Sequence, residues 1–137
     1  MTQIPLTHLH NAGLTLSIDT AGPACQAAVS DGTRVVSSRS VTMLRGHGEA
    51  LIPIVEDVLG EAVITYEDLD RVGVTVGPGS FTGMRVGLAA ARGFSATLNI
   101  PIVGIGTLEA MAVTDRLGND VPAVRWVAID ARNGLAY

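Results

Sequence analysis

Apolar and polar residues alternate along the opening part of the chain. Residues 14–18, 24–30 and 33–41 each follow the two-residue period of a half-buried strand. The turn-forming runs AGP and DG separate these segments, and short turns of this kind join antiparallel neighbours. We therefore expect three antiparallel strands after a polar leader at residues 1–13.

The apolar positions then change to a helical period. One stripe with the spacing i, i+1, i+4, i+7, i+8 predicts a helix over residues 49–60, and it consists of Leu51, Ile52, Val55, Val58 and Leu59. Pro53 has no N–H to donate, so this helix either begins just before Pro53 or kinks there. The run TYED at 65–68 resembles a capping box and predicts a short helical turn.

Strands and helices alternate after this point. Residues 71–76 and 100–105 are apolar runs typical of strands, and helices are expected after them over 84–98 and 107–117, the second ending at 118–119. The resulting order, β-β-β-α-β-α-β-α, predicts a mixed sheet with antiparallel strands first and parallel strands afterwards. This α/β order is that of the ribonuclease-H-like fold.

The end of the chain repeats the opening pattern. An expected strand at 126–130 ends in Ile129-Asp130, as the first strand ends in Ile18-Asp19, and Asn133-Gly134 predicts a tight turn. The two matches could arise by chance. Otherwise the chain is the first lobe of a tandem duplication, at 14–118, followed by the start of a truncated second lobe at 119–137.

Composition narrows the classes of function. With 47% hydrophobic and 16% charged residues, the chain is not a disordered, charge-dominated protein. A net charge of −4 provides no overall basic character of the kind that independent nucleic-acid binders carry. A single cysteine, Cys25, excludes an internal disulfide and fits a reducing cytosol, where we expect it to be a small buried strand residue. We expect a cytoplasmic protein without a membrane segment.

Two turns at strand ends contain residues that could bind a metal ion or a phosphate. Asp19 could hold a hydrated Mg²⁺ beside phosphates, or it could cap its own turn. The glycine-rich run 77–83 (GPGSFTG) could offer backbone N–H groups to an anion at a helix start, or its glycines could serve close packing. The residues that would face a phosphate or nucleotide are Asp19, Thr20, Gly77, Gly79, Ser80 and Gly83. We expect the lone His47 to be a surface or capping residue.

Four motifs together resemble the TsaB (YeaZ) family of bacterial tRNA threonylcarbamoyladenosine biosynthesis proteins. They are Ile18-Asp19-Thr20-Ala21, the run 45–49 (RGHGE), the run 77–87 (GPGSFTGMRVG) and the run 100–105 (IPIVGI). The family is longer and has a second lobe. The resemblance implies an actin-like and sugar-kinase-like tandem fold.

The same resemblance implies a role and partners. The role is that of a non-catalytic subunit that works with a TsaD-like subunit and a TsaE-like ATPase on adenosine 37 of tRNA. Contact with tRNA occurs only through this complex, and homodimers form through the first lobe. No cofactor is required, and weak nucleotide binding stays open.

The chain differs from the related catalytic subunit, the TsaD-like one, at two positions that concern metal binding. That relative carries a His-x-x-x-His pair after the strand that corresponds to residues 102–105, and two such histidines on one helix face can bind a metal. Here Thr107 and Met111 stand at those positions. We therefore expect no bound metal and no peptidase activity.

Two hypotheses about function are carried forward. The first is the scaffold subunit, and the alternative is a nucleotide-dependent small-molecule kinase, which rests on Asp19 and the glycine-rich run. The scaffold hypothesis predicts a helical-bundle interface, used for a homodimer or for the TsaD-like subunit. Its expected residues are Leu51, Ile52, Val55, Leu59, Gly83, Gly87, Ala90 and Ala91.

Overall fold

The order of strands and helices agrees with the prediction. The computed structural model describes residues 13–114 and 126–137. Its elements are β1 (Thr15–Asp19), β2 (Ala24–Ser30), β3 (Val35–Thr42), α1 (His47–Ala62), β4 (Arg71–Thr75), α2 (Phe81–Leu98), β5 (Ile102–Ile105), α3 (Thr107–Thr114), β6 (Asp130–Arg132) and β7 (Leu135–Ala136). Residues 1–12 of the predicted leader at 1–13 and the predicted helix end at 118–119 lie outside the described residues.

Five strands form one mixed sheet in the order β3-β2-β1-β4-β5. The pairs β1–β2 and β2–β3 are antiparallel, whereas β1–β4 and β4–β5 are parallel. The predicted change from antiparallel to parallel pairing is therefore confirmed. Because β1, β4 and β5 are parallel, their carboxyl ends meet at one edge of the sheet.

Both long helices cover the same face of this sheet. α1 packs against β2 and β3, and α2 packs against β4 and β1. The core between them is aliphatic and includes Leu16, Ile18, Val29, Val55, Val58, Val72 and Val74. Alternate strand residues such as Ser17 and Gln26 are directed to the other face and remain half-buried.

Local hydrogen bonds explain where several elements begin. The carboxylate of Asp31 accepts hydrogen bonds from the N–H groups of Thr33 and Arg34, both at 3.0 Å, so residues 31–34 form a turn. β3 therefore begins at Val35, later than expected. Hydrogen bonds from the Thr33 hydroxyl and N–H hold the pKa of the Asp31 carboxyl well below its usual range.

Helix α1 begins earlier than the sequence pattern indicated. Gly46 precedes it with a φ of 88°, and the helix starts at His47 and continues through Pro53. The alternative that the helix begins just before Pro53 is therefore wrong. The expected helical turn after α1 is present at Tyr66–Asp68, where the Thr65 N–H donates to Asp68 Oδ2 at 2.7 Å.

The end of the chain departs from the prediction in one respect. Residues 126–129 are not a strand, because the only pairing there is the antiparallel hairpin of β6 and β7, which starts at Asp130. The expected turn is present at Asn133 and Gly134, with φ values of 55° and 75°. The assignment of this segment to a second lobe stays a prediction. No helix in the described ranges is long and apolar enough to cross a membrane.

Candidate functional site

Asp19 lies at the carboxyl end of β1, at the edge where the parallel strands end. One of its oxygens, Oδ1, accepts hydrogen bonds from the Thr75 hydroxyl at 2.8 Å and from the Ala21 N–H at 2.9 Å. The carboxylate thus joins the end of β4 to the turn after β1. Asp19 caps its own turn, as one of the two alternatives proposed, and it also borders the open face of the sheet.

A shallow cavity of about 330 Å³ lies on that open face. Polar and small side chains from four strands line it, including Ser17, Asp19, Gln26, Ser38, Ser40 and Thr75. Asp19 is the acidic group among its lining residues, and no basic partner for it is recorded in the described residues. Arg39 is the cationic residue in the lining, and its guanidinium is already paired with Asp57 and Glu61, so the cavity offers no unpaired cationic group of the kind that usually holds phosphates.

The glycine-rich loop rests directly on the turn that follows β1. The Ser80 N–H donates to the carbonyl oxygen of Ala21 at 2.7 Å. A Cβ atom on Gly79 would lie 2.6 Å from that same oxygen, and one on Gly83 would overlap the carbonyl oxygen of Thr20. These glycines are therefore needed because two stretches of backbone touch.

Thr20 is part of the same contact. Its side chain is buried, and its hydroxyl donates to the Gly83 carbonyl oxygen at 2.6 Å. The expectation that Thr20 and Gly83 face a phosphate is corrected, because atoms of this chain occupy their surroundings. Ser80 caps α2, since its hydroxyl oxygen accepts from the Gly83 N–H at 3.2 Å, and the Gly77 carbonyl accepts from the Thr107 N–H at 2.9 Å. A nucleotide-facing role for Asp19, Gly77, Gly79 and Ser80 stays a prediction.

A second concave surface, the α1–α2 groove, lies between the two long helices. It has a volume of about 430 Å³ and is lined by Ile52, Tyr66, Glu67, Ala90, Gly93, Phe94, Thr97 and Leu98. The rings of Tyr66 and Phe94 stack at its base with centroids 5.5 Å apart. Partial burial, and then the nearby charge of Glu56, raises the pKa of Tyr66. The groove is thus an apolar, aromatic surface that is open to solvent.

The predicted interface residues divide into two groups. Six of them are buried in this chain's own core, which corrects their assignment to a partner: Leu51, Val55, Leu59, Gly83, Gly87 and Ala91. The physical reason is that each helix uses these positions to cover the sheet. Ile52 and Ala90 remain accessible, and both line the α1–α2 groove.

Sequence reasoning missed three contributors to these surfaces. Thr75 was not recognised as the partner of Asp19, although its place at the end of a parallel strand puts it at the same edge. Tyr66 and Phe94 lie in different elements, and no local pattern indicates that their rings stack. These contacts depend on the tertiary arrangement.

The remaining polar candidates have structural positions. Cys25 is buried, and its thiol lies 3.9 Å from the carbonyl oxygen of His47, the first residue of α1. Burial, and then the charge of Asp19, raises the pKa of the thiol, so it stays protonated near neutral pH. Thr107 is buried at the start of α3, and Met111 lies half-exposed one turn later.

Comparison with protein families identifies the class to which this fold and loop belong. Residues 41–137 match the family model described as TsaD: tRNA N6-adenosine threonylcarbamoyltransferase. The match covers well over half of the chain, which therefore belongs to the TsaD family.

Within that family, relatives named TsaB align with most of this chain. The tRNA threonylcarbamoyladenosine biosynthesis protein TsaB of Escherichia coli is 37% identical over 123 residues, which make up 89% of this chain and 52% of the relative. The predicted resemblance to the TsaB (YeaZ) family is confirmed. This chain spans about half the length of the curated relatives that it matches.

Solved structures support the same assignment. YeaZ from Pseudomonas aeruginosa matches with a TM-score of 0.76 and 28% identity, over 90% of this chain and 57% of that chain. A ROK hexokinase from Thermus thermophilus matches with a TM-score of 0.53 and 21% identity, over 75% of this chain and 38% of that chain. The second match concerns the fold alone, and together they confirm the expected actin/sugar-kinase-like architecture.

Proposed function

We propose that this chain is the lobe of a TsaB-like protein that acts as a non-catalytic subunit in the synthesis of threonylcarbamoyladenosine at position 37 of tRNA. Its partners are a TsaD-like subunit, a TsaE-like ATPase and a second copy of itself, in the cytoplasm. It reaches tRNA only through the complex and requires no metal or cofactor. Its family membership supports the pathway, and the α1–α2 groove is the observation that carries the role as a binding subunit.

The α1–α2 groove has the properties of a surface that receives a helix. Its floor is the stacked Tyr66 and Phe94 pair, which provides a rigid apolar area. Its α2 wall carries the small residues Ala90 and Gly93, and a Cβ on Gly93 would meet no atom within 4 Å. Small side chains beside an aromatic floor let a partner helix approach closely and bury its own apolar residues.

The glycine-rich loop supports a non-catalytic role. In a nucleotide-binding turn, glycines leave backbone N–H groups open to phosphates. Here the loop is seated on the turn after β1, and the Ser80 N–H already donates to Ala21. The same contact weakens the kinase alternative. Asp19 still supports that alternative, because both recorded hydrogen bonds to its carboxylate go to Oδ1 and leave Oδ2 for a ligand.

Substitution in the groove tests the association directly. Arginine at position 90 would fill part of the groove and place a charge where a partner helix docks, so we expect Ala90→Arg to weaken self-association and binding of the TsaD-like subunit at least tenfold. Ala89→Arg is the matched control, because Ala89 is exposed and does not line the groove. Sedimentation measures association, and circular dichroism verifies that both variants are folded.

The outcomes separate the hypotheses. A folded Ala90→Arg variant that associates like the wild type would contradict the groove as the interface. Titration calorimetry with Mg-ATP tests the alternative, since tight binding accompanied by turnover of a small acceptor would favour the kinase. Purification from native cytosol, with mass identification of co-purifying subunits, tests the TsaD-like and TsaE-like partners.

A further inference from the structure

The side chain of Thr20 fills a notch in helix α2. A Cβ atom on Gly87 would lie 2.6 Å from Thr20 Oγ1, and the hydroxyl itself donates to the Gly83 carbonyl oxygen at 2.6 Å. Gly83 and Gly87 are one helical turn apart on the buried face of α2. Thr20 therefore occupies the space that the two absent side chains leave.

This contact determines where α2 lies on the sheet. The two glycines set the depth, because the helix backbone comes within contact distance of the end of β1. The hydrogen bond sets the position along the axis, because it joins one particular carbonyl of the first helical turn to one hydroxyl. Sliding α2 by one residue would bring a larger side chain, such as that of Met84, toward Thr20.

The other wall of the α1–α2 groove is formed by α1 and by the helical turn at Tyr66–Asp68, and α1 also contacts α2 directly. α1 packs on β2 and β3 through large side chains such as Leu51 and Val58, whereas α2 packs on β4 and β1. The width of the groove thus depends on how each helix packs on its strands and on the contacts between the two helices. On the α2 side, the contact with Thr20 joins one hydroxyl group to one particular carbonyl of the helix.

We propose that Thr20 is a positioning residue for the α1–α2 groove, acting through α2 rather than by touching a partner. The effect on association rests on the proposed function, whereas the effect on helix position does not. A buried threonine that resembles part of a phosphate-binding turn thereby serves assembly.

Two readouts test this assignment. Thr20→Val keeps the shape and removes the hydroxyl, and Thr20→Ser keeps the hydroxyl. Thr75→Val is the matched control, because it removes another buried hydroxyl bond at the same sheet edge, on the open face away from α2. Spin labels at Glu56→Cys and Ala96→Cys, both exposed, report the distance between the helices, and Cys25 is buried and unlabelled.

We expect Thr20→Val to lengthen and broaden the interhelical distance and, because a displaced α2 changes the shape of the groove, to weaken self-association about tenfold. Thr20→Ser should restore both measurements to near wild-type values, and Thr75→Val should lower the melting temperature without changing either. If Thr20→Val does not fold, Thr20→Ala replaces it, since it removes the bond and adds no bulk.

The two proposals fail in different ways. An unchanged distance in Thr20→Val, or an equal change in Thr75→Val, would overturn the positioning role, whatever the state of association. A changed distance in a protein that never self-associates would support the positioning role and count against the homodimer part of the proposed function.

Discussion

The two long helices cover the same face of one sheet by different means. α1 buries five aliphatic side chains: Leu51, Ile54, Val55, Val58 and Leu59. α2 is slightly longer, yet its fully buried positions are two glycines and an alanine: Gly83, Gly87 and Ala91. α1 is held by fully buried side chains, whereas α2 combines close approach of its backbone with partly buried side chains such as Val86, Leu88 and Phe94.

The two helices should therefore differ in how well they tolerate substitutions of their buried residues. A cavity under α1 can shrink as neighbouring side chains relax, so the cost of a substitution there is graded. The carbonyl group of Thr20 lies under Gly83 and, as main chain, has little freedom to move, whereas the side chains of Thr20, Val74 and Ile18 lie under Gly87. Contact between two stretches of backbone therefore accounts for Gly79 and Gly83 of the glycine-rich run.

The two helices should differ most in stability when one methyl group is added at the tightest point of α2. We expect Gly83→Ala to prevent folding, since the new Cβ would overlap the Thr20 carbonyl oxygen and the cost should exceed the roughly 3 kcal/mol of ordinary overpacking. Gly60→Ala on α1 is the control, because a Cβ there meets nothing within 4 Å. Chemical denaturation measures both, and a stably folded Gly83→Ala protein would contradict backbone contact.

The next effect concerns α1. Leu51 is almost completely buried, so we expect Leu51→Ala to lower the free energy of unfolding by about 2–4 kcal/mol while the protein still folds. Ile52 is 41% exposed, and Ile52→Ala should cost less than about 1 kcal/mol. Equal losses in the two variants, measured by urea unfolding, would show that the stripe is oriented differently.

Much of the architecture follows from local patterns. Three features depend on residues that are close in sequence, and all three are present. They are the antiparallel strands β1 to β3, the later alternation of strands and helices, and the turn at Asn133-Gly134. Of the strand expected at 126–130, only Asp130 is in a strand, because a strand needs a partner and apolar residues alone do not supply one. Pairing is a property of the sheet rather than of the segment.

The roles of the site residues were harder to predict, since they depend on distant contacts. Thr75 and Asp19 are 56 residues apart in sequence, and only the parallel pairing of β1 with β4 brings them together. The apolar stripe of α1 was recognised, but the pattern does not state whether the sheet or a partner covers it. Leu51 and Val55 are buried against the sheet, whereas Ile52 lines the groove.

Each helix also accepts a hydrogen bond from a hydroxyl group, for α1 from Ser37 of β3 and for α2 from Thr20 in the turn after β1. Ser37 donates to the Val58 carbonyl oxygen of α1 at 2.7 Å, as Thr20 donates to Gly83 of α2. Because large side chains already hold α1, we expect Ser37→Ala to cost only about 0.5–1.5 kcal/mol and to leave the groove unchanged. Calorimetric melting together with the interhelical spin-label distance checks this. A shifted distance would show that α1 is no better anchored than α2.

The smallest expected effect lies on the outer side of α2. Gly93 is exposed, and a Cβ there would meet no atom within 4 Å. In contrast to positions 83 and 87, position 93 therefore does not require glycine for packing within the chain. Alanine loses less backbone entropy in a helix, and we expect Gly93→Ala to raise the free energy of unfolding by about 0.5–1 kcal/mol. Because Gly93 lines the α1–α2 groove, its added methyl should at the same time weaken association with a closely packed helix. Denaturation of the dilute monomer and sedimentation at higher concentration separate the two effects. A destabilised monomer would mean that close backbone packing extends around α2, whereas a stabilised monomer with unchanged association would place the partner helix elsewhere.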